Sequence, residues 1–317
     1  MEYRRLGNSG LVVSLLGYGA NNLGRTGTTT ENQAGADAIV GAALDAGITY
    51  FDSADVYGAQ YGMSERLLGQ ALGARREEAV IATKFGMPRS TPGDPIARGS
   101  RAYTMKALEG SLERLGTDYV DLYYYHSPDS LTPLEETVDA LETAVDQGKV
   151  RYYAISNMAG WQTAATAELA TTGRLVGTQS HYNLIDRRAE LEILPAARHY
   201  GLGVIPYFPL AAGLLTGKYT DANPGDGRLK DGDPKIETAD MNQLRTYRDF
   251  CNERGLDQAQ VAIAWLAHQD PVASIIAGAT KPEQIESNAK AVDIKLSDDD
   301  LAALDEIFPP ADKVALF

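Results

Sequence analysis

Along almost the whole of this chain, short apolar runs rich in β-formers alternate with segments of helical period, and that alternation limits the available folds more than any other feature. Strands are read near Leu15–Gly19, Thr49–Asp52, Val80–Lys84, Val120–Tyr125, Tyr152–Ile155, Gly177–His181, Gly203–Tyr207 and Ser274–Ala277. The helical period between them is explicit. In "TPLEETVDALETAVDQGK", Leu134, Val138, Leu141 and Val145 recur at spacings of three and four, with Thr132 expected as N-cap, Pro133 in the first turn, Glu135 completing a capping box and Gly148 ending the helix. "SERLLGQAL", starting at Ser64, places Leu67, Leu68, Ala71 and Leu72 on one face. Strand-then-helix units in series build a parallel sheet, either open or closed on itself.

An open, doubly wound sheet built to bind a dinucleotide would carry G-x-G-x-x-G after its first strand. Here the first strand runs into "GYGANNLG", whose glycine spacing does not fit. Eight βα units without that fingerprint point to an α/β chain folded as a (β/α)8 TIM barrel, with the doubly wound sheet as the alternative. The 317 residues would suffice for two domains of about 150, but barrels run longer as one unit, so a single domain over residues 1–317 is expected. Ahead of the first strand, "YRRLGNSGLVV" has two apolar pieces around Gly-Asn-Ser-Gly, the pattern of an N-terminal β-hairpin able to plug one end of a barrel. Met87–Ser100 and the polar stretch Thr220–Asp240 are read as long loops at the C-terminal face.

Composition removes several functional classes. A chain 44% hydrophobic and 23% charged has the balance of a globular protein, and no apolar run approaches the roughly 20 residues that span a bilayer. The start does not read as a secretory signal, and the lone Cys251 excludes an internal disulfide or a cysteine-based metal cluster, so a cytoplasmic location and no metal are expected. A net charge of −14 repels nucleic acid and anionic membrane surfaces. A small-molecule partner is expected, with no obligate protein partner.

In a barrel of this kind the chemistry sits at the carboxyl ends of the strands. Asp52 closes the second strand, Lys84 the third, His126 the fourth; Ser156 and Asn157 follow the fifth, Gln179 lies on the sixth and Tyr207 ends the seventh. Tyr57 follows Asp52 closely in "FDSADVYG", where Asp55 reads as a turn-former. His181 faces the same way as Gln179 by strand alternation, either lining the substrate pocket or packed. A tyrosine, lysine, aspartate and histidine at one mouth suit proton transfer to or from a hydroxyl or carbonyl oxygen. An adjacent ammonium favours phenolate, Asp52 would keep Lys84 charged and aimed, and His126 could hydrogen-bond a developing oxyanion.

"FDSADVYG", "IATKFG", "LERLGTDYVDLYYYH", "AISN", "YFPLAAGLLTGKY" and "IAGATKPEQIESN" together resemble the aldo-keto reductases, over essentially the whole chain. The resemblance implies a barrel that binds NADP(H) in extended form and reduces aldehydes or ketones to alcohols. Tyr57 would be the general acid, completed by Asp52, Lys84 and His126. Ser156, Asn157 and Gln179 would hold the nicotinamide carboxamide and Tyr207 would stack on its ring. Gly19, Ala20, Asn21 and Asp52 would line the cofactor, as would Phe208, Pro209, Leu210 and Gly213. Lys218 would meet the pyrophosphate, and Gly278, Thr280, Lys281, Gln284 and Asn288 the adenosine end, with Arg228 a further phosphate contact. The chain departs from the family pattern at Phe208, where many relatives have serine, at Ser287 in place of a common glutamate, and at Gln284, where some branches use arginine.

NADPH carries an extra 2′-phosphate, which on so acidic a chain needs local cations and backbone N–H donors; Lys281, opening the last barrel helix in "GATKPEQ", is the best placed, with Arg228 in reserve. Within the family the chain looks most like bacterial members acting on sugar-like or broad carbonyl substrates. Two other readings stay open: a cofactor-sensing binding subunit resembling potassium-channel beta subunits, and a Schiff-base aldolase with Lys84 as nucleophile.

Overall fold

β1 (Tyr3–Arg5) and β2 (Val12–Ser14) form the expected antiparallel hairpin, pairing Tyr3 with Ser14 and Arg5 with Val12. The computed structural model describes residues 1–88, 95–220, 229–230 and 232–311. After the hairpin come eight parallel strands: β3 (Leu16–Gly19), β4 (Tyr50–Asp52), β5 (Val80–Phe85), β6 (Val120–Tyr125), β7 (Val150–Ser156), β8 (Leu175–His181), β9 (Gly203–Tyr207) and β10 (Ile275–Ala277). Strands from β3 to β9 pair with their sequence neighbours in turn, and β10 pairs with β3. The ring closes between β9 and β10, where Val204 bridges Val272, its N–H donating to Pro271 O at 3.0 Å and its carbonyl accepting from Ala273 N at 2.9 Å. The fold is a (β/α)8 barrel, and the doubly wound alternative falls.

Helices α1 (Gln33–Asp45), α2 (Met63–Leu72), α3 (Arg101–Leu115), α4 (Leu134–Asp146), α5 (Gly160–Leu169) and α6 (Ile193–Tyr200) follow β3 to β8 in order. After β9 come α7 (Pro234–Glu237), α8 (Met241–Glu253) and α9 (Gln258–Ala267), and after β10 come α10 (Pro282–Ala291) and α11 (Asp298–Ile307). No described helix is long and apolar enough to cross a membrane.

Two helix starts differ from the sequence reading. Thr132 is not the N-cap of α4; Pro133 is, without a side-chain cap bond. The Thr132 hydroxyl instead donates to Asp129, whose carboxylate also takes the N–H groups of Gly99, Leu131 and Thr132, so the loop before the helix claims the threonine first. α2 begins one residue ahead of Ser64, whose hydroxyl turns inward to Ala20 O at 2.8 Å.

Inside the ring, alternate residues stack into layers. The lowest layers join Leu6, Leu11 and Val13 of the hairpin to Tyr50, Ala82, Leu122, Tyr124, Ala154 and Ile205, so the hairpin does plug the amino end. Two residues further along each strand, the same inward direction carries Tyr50 to Asp52, Ala82 to Lys84, Tyr124 to His126, Ala154 to Ser156 and Ile205 to Tyr207. The floor is largely apolar and holds one phenol pair, Tyr50 and Tyr124, whose oxygens lie 2.8 Å apart.

Candidate active site

At the carboxyl end of β5, Lys84 is wholly buried, and its ammonium meets three acceptors: Asp52 Oδ2 at 2.6 Å, Ser53 O at 2.7 Å and Tyr57 Oη at 3.5 Å. Burial alone would depress its pKa, but the Asp52 carboxylate and the Tyr57 oxygen outweigh that and hold it above the ordinary lysine value. Lys84 is therefore a fixed cation. Asp52's other oxygen accepts from Gln179 Nε2 at 2.9 Å, a bond that crosses the barrel from β8 to β4. Gln179 thus uses its amide donor on Asp52, leaving its carbonyl oxygen as the end able to accept from a ligand.

Tyr57 hangs over this pair from the loop between β4 and α2. Sequence reasoning expects Lys84 to depress its pKa, and the attraction is present; burial nevertheless dominates and raises the phenol above its ordinary 10.0, helped by the Asp52 and Asp55 carboxylates. The phenol is protonated throughout the neutral range. His126, just past β6, sets its ring edge-on to Tyr57 with centroids 5.8 Å apart. Burial, reinforced by the Lys84 charge, holds it well below the usual histidine pKa, so it is a neutral imidazole, and its Nδ1 is buried without a hydrogen-bond partner. Asp52, Tyr57, Lys84 and His126 are brought together as expected.

The second group of expected residues is tied to itself. Asn157, with a left-handed backbone at φ 56°, donates to His126 O at 2.9 Å and Ser156 Oγ at 3.1 Å, and accepts from Tyr207 Oη at 2.7 Å. Tyr207 stacks on His181 at 5.4 Å, with 8° between the rings. His181 itself is partly buried and sits 3.1 Å from Asp186, which accounts for it without a ligand. Beyond β9, Phe208, Ala211 and Ala212 all take left-handed backbones, with φ of 55°, 47° and 58°, beside Gly213 at 108°. Such conformations cost L-residues of order 1 kcal/mol each and persist only where surroundings enforce them. Buried Asn183 supplies one restraint, donating to Phe208 O at 3.0 Å.

Further out, Gly278 lets the turn after β10 approach the one after β3: a Cβ there would lie 3.2 Å from Asn22 Nδ2 and 3.4 Å from Asn21 Oδ1. Gly19, Ala20 and Asn21 are thereby set beside Gly278. Lys281 is the exposed N-cap of α10, but Gln284 Oε1 already accepts from Thr280 N at 2.9 Å and Lys281 N at 3.1 Å. Gln284 is a helix cap here, and it covers N–H donors that sequence reasoning offered to a phosphate. Asn288 is buried on the same helix, and Lys218 is exposed after Gly217. Arg228 lies outside the described residues. Asp55 stands in a turn as expected, and it is only 1% exposed, accepting from Tyr61 Oη at 2.8 Å.

The description "Aldo/keto reductase family" matches residues 15–308. The chain belongs to the aldo/keto reductase family. Among its relatives, the uncharacterized oxidoreductase YrpG of Bacillus subtilis is 41% identical over 98% of this chain and 96% of its own length. The L-glyceraldehyde 3-phosphate reductase of Escherichia coli K12 is 38% identical over 96% of this chain and 92% of its own. A probable voltage-gated potassium channel subunit beta of Oryza sativa is 39% identical over 93% of this chain and 92% of its own. The reductase is an NAD(P)H-dependent oxidoreductase acting on carbonyl groups.

The site's chemistry fits a nicotinamide cofactor. An unpartnered buried imidazole nitrogen, side-chain amides and a flat phenol ring converge at the mouth, with two exposed lysines on the neighbouring loops after β9 and β10. Ser53 O, Asn183 and the left-handed loop were missed by sequence reasoning. A backbone acceptor leaves no sequence signal, although Asn183 in "HYNLIDR" follows Gln179 closely enough to have been considered.

Proposed function

We propose that this chain is an NADPH-dependent reductase that converts an aldehyde or ketone, sugar-like carbonyls included, into the alcohol, with Tyr57 as proton donor. The observation that carries the reading is the buried ammonium of Lys84, ion-paired to Asp52 and 3.5 Å from Tyr57 Oη. A phenol protonated at neutral pH is a competent store for one proton, and the neighbouring ammonium stabilises the phenolate left when the proton goes to the carbonyl oxygen. Neutral His126 donates a hydrogen bond to the same oxygen and orients it. Asp52 keeps Lys84 charged and aimed.

Bound NADPH would supply the hydride. Ser156, Asn157 and Gln179 would take its carboxamide, Tyr207 its ring face, the Phe208–Pro209–Leu210 turn with Gly213 and Lys218 its pyrophosphate, and Gly278, Thr280, Lys281, Gln284 and Asn288 the adenosine end. Asn157 and Tyr207 would have to exchange the bond they share for bonds to the ligand. The Schiff-base reading requires a neutral lysine and loses support from the raised pKa of Lys84. The binding-subunit reading is favoured by the rice relative and by a like-named relative of Arabidopsis thaliana, 37% identical over 93% of this chain.

Tyr57→Phe keeps the ring and removes the proton. Turnover with nitrobenzaldehyde should fall by about 10²-fold or more while NADPH affinity, read by fluorescence titration, is unchanged. Near-full activity in that variant would remove Tyr57 from the role. No NADPH oxidation by the parent chain across aldehydes, ketones and phosphorylated and free sugars would favour the binding subunit.

A further inference from the structure

Asn183, in the loop after β8, is buried, and its hydrogen bonds fix which end of its side chain is which. Ile185 N at 3.0 Å and Asp186 N at 2.9 Å both point at one end, and only a carbonyl oxygen can accept two N–H groups. That end is Oδ1. The NH2 end therefore faces Phe208 O at 3.0 Å and His181 Nε2 at 3.2 Å, and it donates to both. It follows that His181 Nε2 accepts and carries no hydrogen. The imidazole proton sits on Nδ1, which lies 3.1 Å from Asp186 Oδ2.

The arrangement suits one charge state of His181. An imidazolium would carry a hydrogen on Nε2 aimed at an NH2 group, setting two donors against each other. Turning the amide over does not help, because Oδ1 would then oppose Phe208 O and the NH2 group would oppose the N–H groups of Ile185 and Asp186. Protonation therefore costs Asn183 a bond whichever way its amide turns. Around His181 stand Asp186 and Arg188 on the loop that follows it, Tyr207 on β9 and Lys235 on α7, with the Phe208 ring edge-on at 5.6 Å. Asp186 favours the imidazolium, but burial, Arg188 and Lys235 oppose it and prevail, so the ring is neutral at neutral pH.

The Phe208 carbonyl is where this reaches the ligand site. Phe208 opens the run of left-handed residues after β9, at φ 55°, and its carbonyl accepts from Ala211 N at 2.9 Å as well as from Asn183. We infer that Asn183 is a positioning residue for the cofactor: it ties the loop after β8 to the left-handed loop after β9, and neutral His181 holds its amide in the orientation that keeps the Phe208 carbonyl in place. This rests on the reading that the left-handed loop seats the NADPH pyrophosphate. Imidazolium forms as pH falls, so cofactor affinity weakens on the acid side.

Two variants separate the tie from the titration. Asn183→Asp keeps the shape and the acceptor for Ile185 and Asp186 but puts an oxygen opposite Phe208 O. His181→Phe keeps a flat ring against Tyr207 and removes the ionisation. The probe is NADP+, which withstands acid, and its Kd is read by quenching of protein fluorescence between about pH 5 and about pH 8, with a urea melt of each chain. Asn183→Asp should raise Kd at about pH 8 by about tenfold or more. Towards about pH 5, Kd should climb more steeply in the parent than in His181→Phe, by about threefold or more. The 2′-phosphate ionises alike in both chains, so the difference belongs to His181. A parental Kd in Asn183→Asp, or a parental slope in His181→Phe, overturns the proposal. Should Asn183→Asp fail to fold, the slope in His181→Phe decides alone. A parent that binds neither NADP+ nor NAD+ strikes the cofactor reading and this inference with it, whereas a parent that binds NADP+ beside variants sharing its Kd and its slope sinks this inference alone.

Discussion

Replacing Lys84 by methionine keeps most of the side-chain volume and deletes one charge from the centre of the site. At 3.5 Å, through an effective dielectric of about 20, the attraction between an ammonium and a phenolate is about 5 kcal/mol, which caps the effect at the order of 10³ in rate. With the charge on Tyr57 half developed in the transition state, kcat/KM should fall about 10²-fold. Microscopic reversibility requires the same loss in both directions at one pH. The ionisation that oxidation depends on should move to higher pH, since the cation favouring phenolate is gone. The variant also removes the cation paired with Asp52, at a cost of about 3–5 kcal/mol in stability. Asp52→Asn in the same chain should restore much of that stability without restoring activity, which separates folding from chemistry. The assay is kcat/KM for alcohol oxidation and carbonyl reduction over pH 6 to about 10, with urea melts of each variant. Rates within threefold of the parent and an unmoved pH profile would refute the reasoning.

Lys281→Glu puts a carboxylate where the proposed NADPH contact stands, so the ratio of kcat/KM for NADPH over NADH should drop by about tenfold or more, and an unchanged ratio would give the phosphate to another residue. Gly62→Ala forces a side chain into a left-handed position at φ 70° and against Arg114, so it should destabilise the fold by about 1 kcal/mol or more in urea melts; parental stability would show that Arg114 can give way freely.

The barrel was legible because its strands are buried on both faces and so appear as apolar runs that no surface pattern imitates. The four residues at its mouth were legible for a related reason, since the fold dictates where chemistry can sit and few polar residues stand at those positions. The burial of Asp55 was not. A carboxylate after a strand looks the same in sequence whether water or Tyr61 and Arg114 surround it, and Arg114 is contributed by a helix that sequence proximity does not connect to the loop. The backbones of Phe208, Ala211 and Ala212 were hidden for another reason: left-handed turns announce themselves through glycine or asparagine, and here ordinary residues are held in that conformation by their neighbours. Thr132 shows the same limit on a smaller scale, a good capping residue outcompeted by an aspartate in the preceding loop.

The apolar floor has a consequence for the timing of protons. Beneath Lys84 lie the paired phenols of Tyr50 and Tyr124, both held protonated by burial, and below them Leu6, Leu11 and Val13. These residues are buried, which favours hydrogen exchange between Tyr57 and water through the mouth. On the proposed mechanism, ligands filling the mouth would cut the phenol and its Lys84 partner off from water until the alcohol departs. A site so built would take up one solvent proton per turnover, between the departure of one product and the arrival of the next substrate.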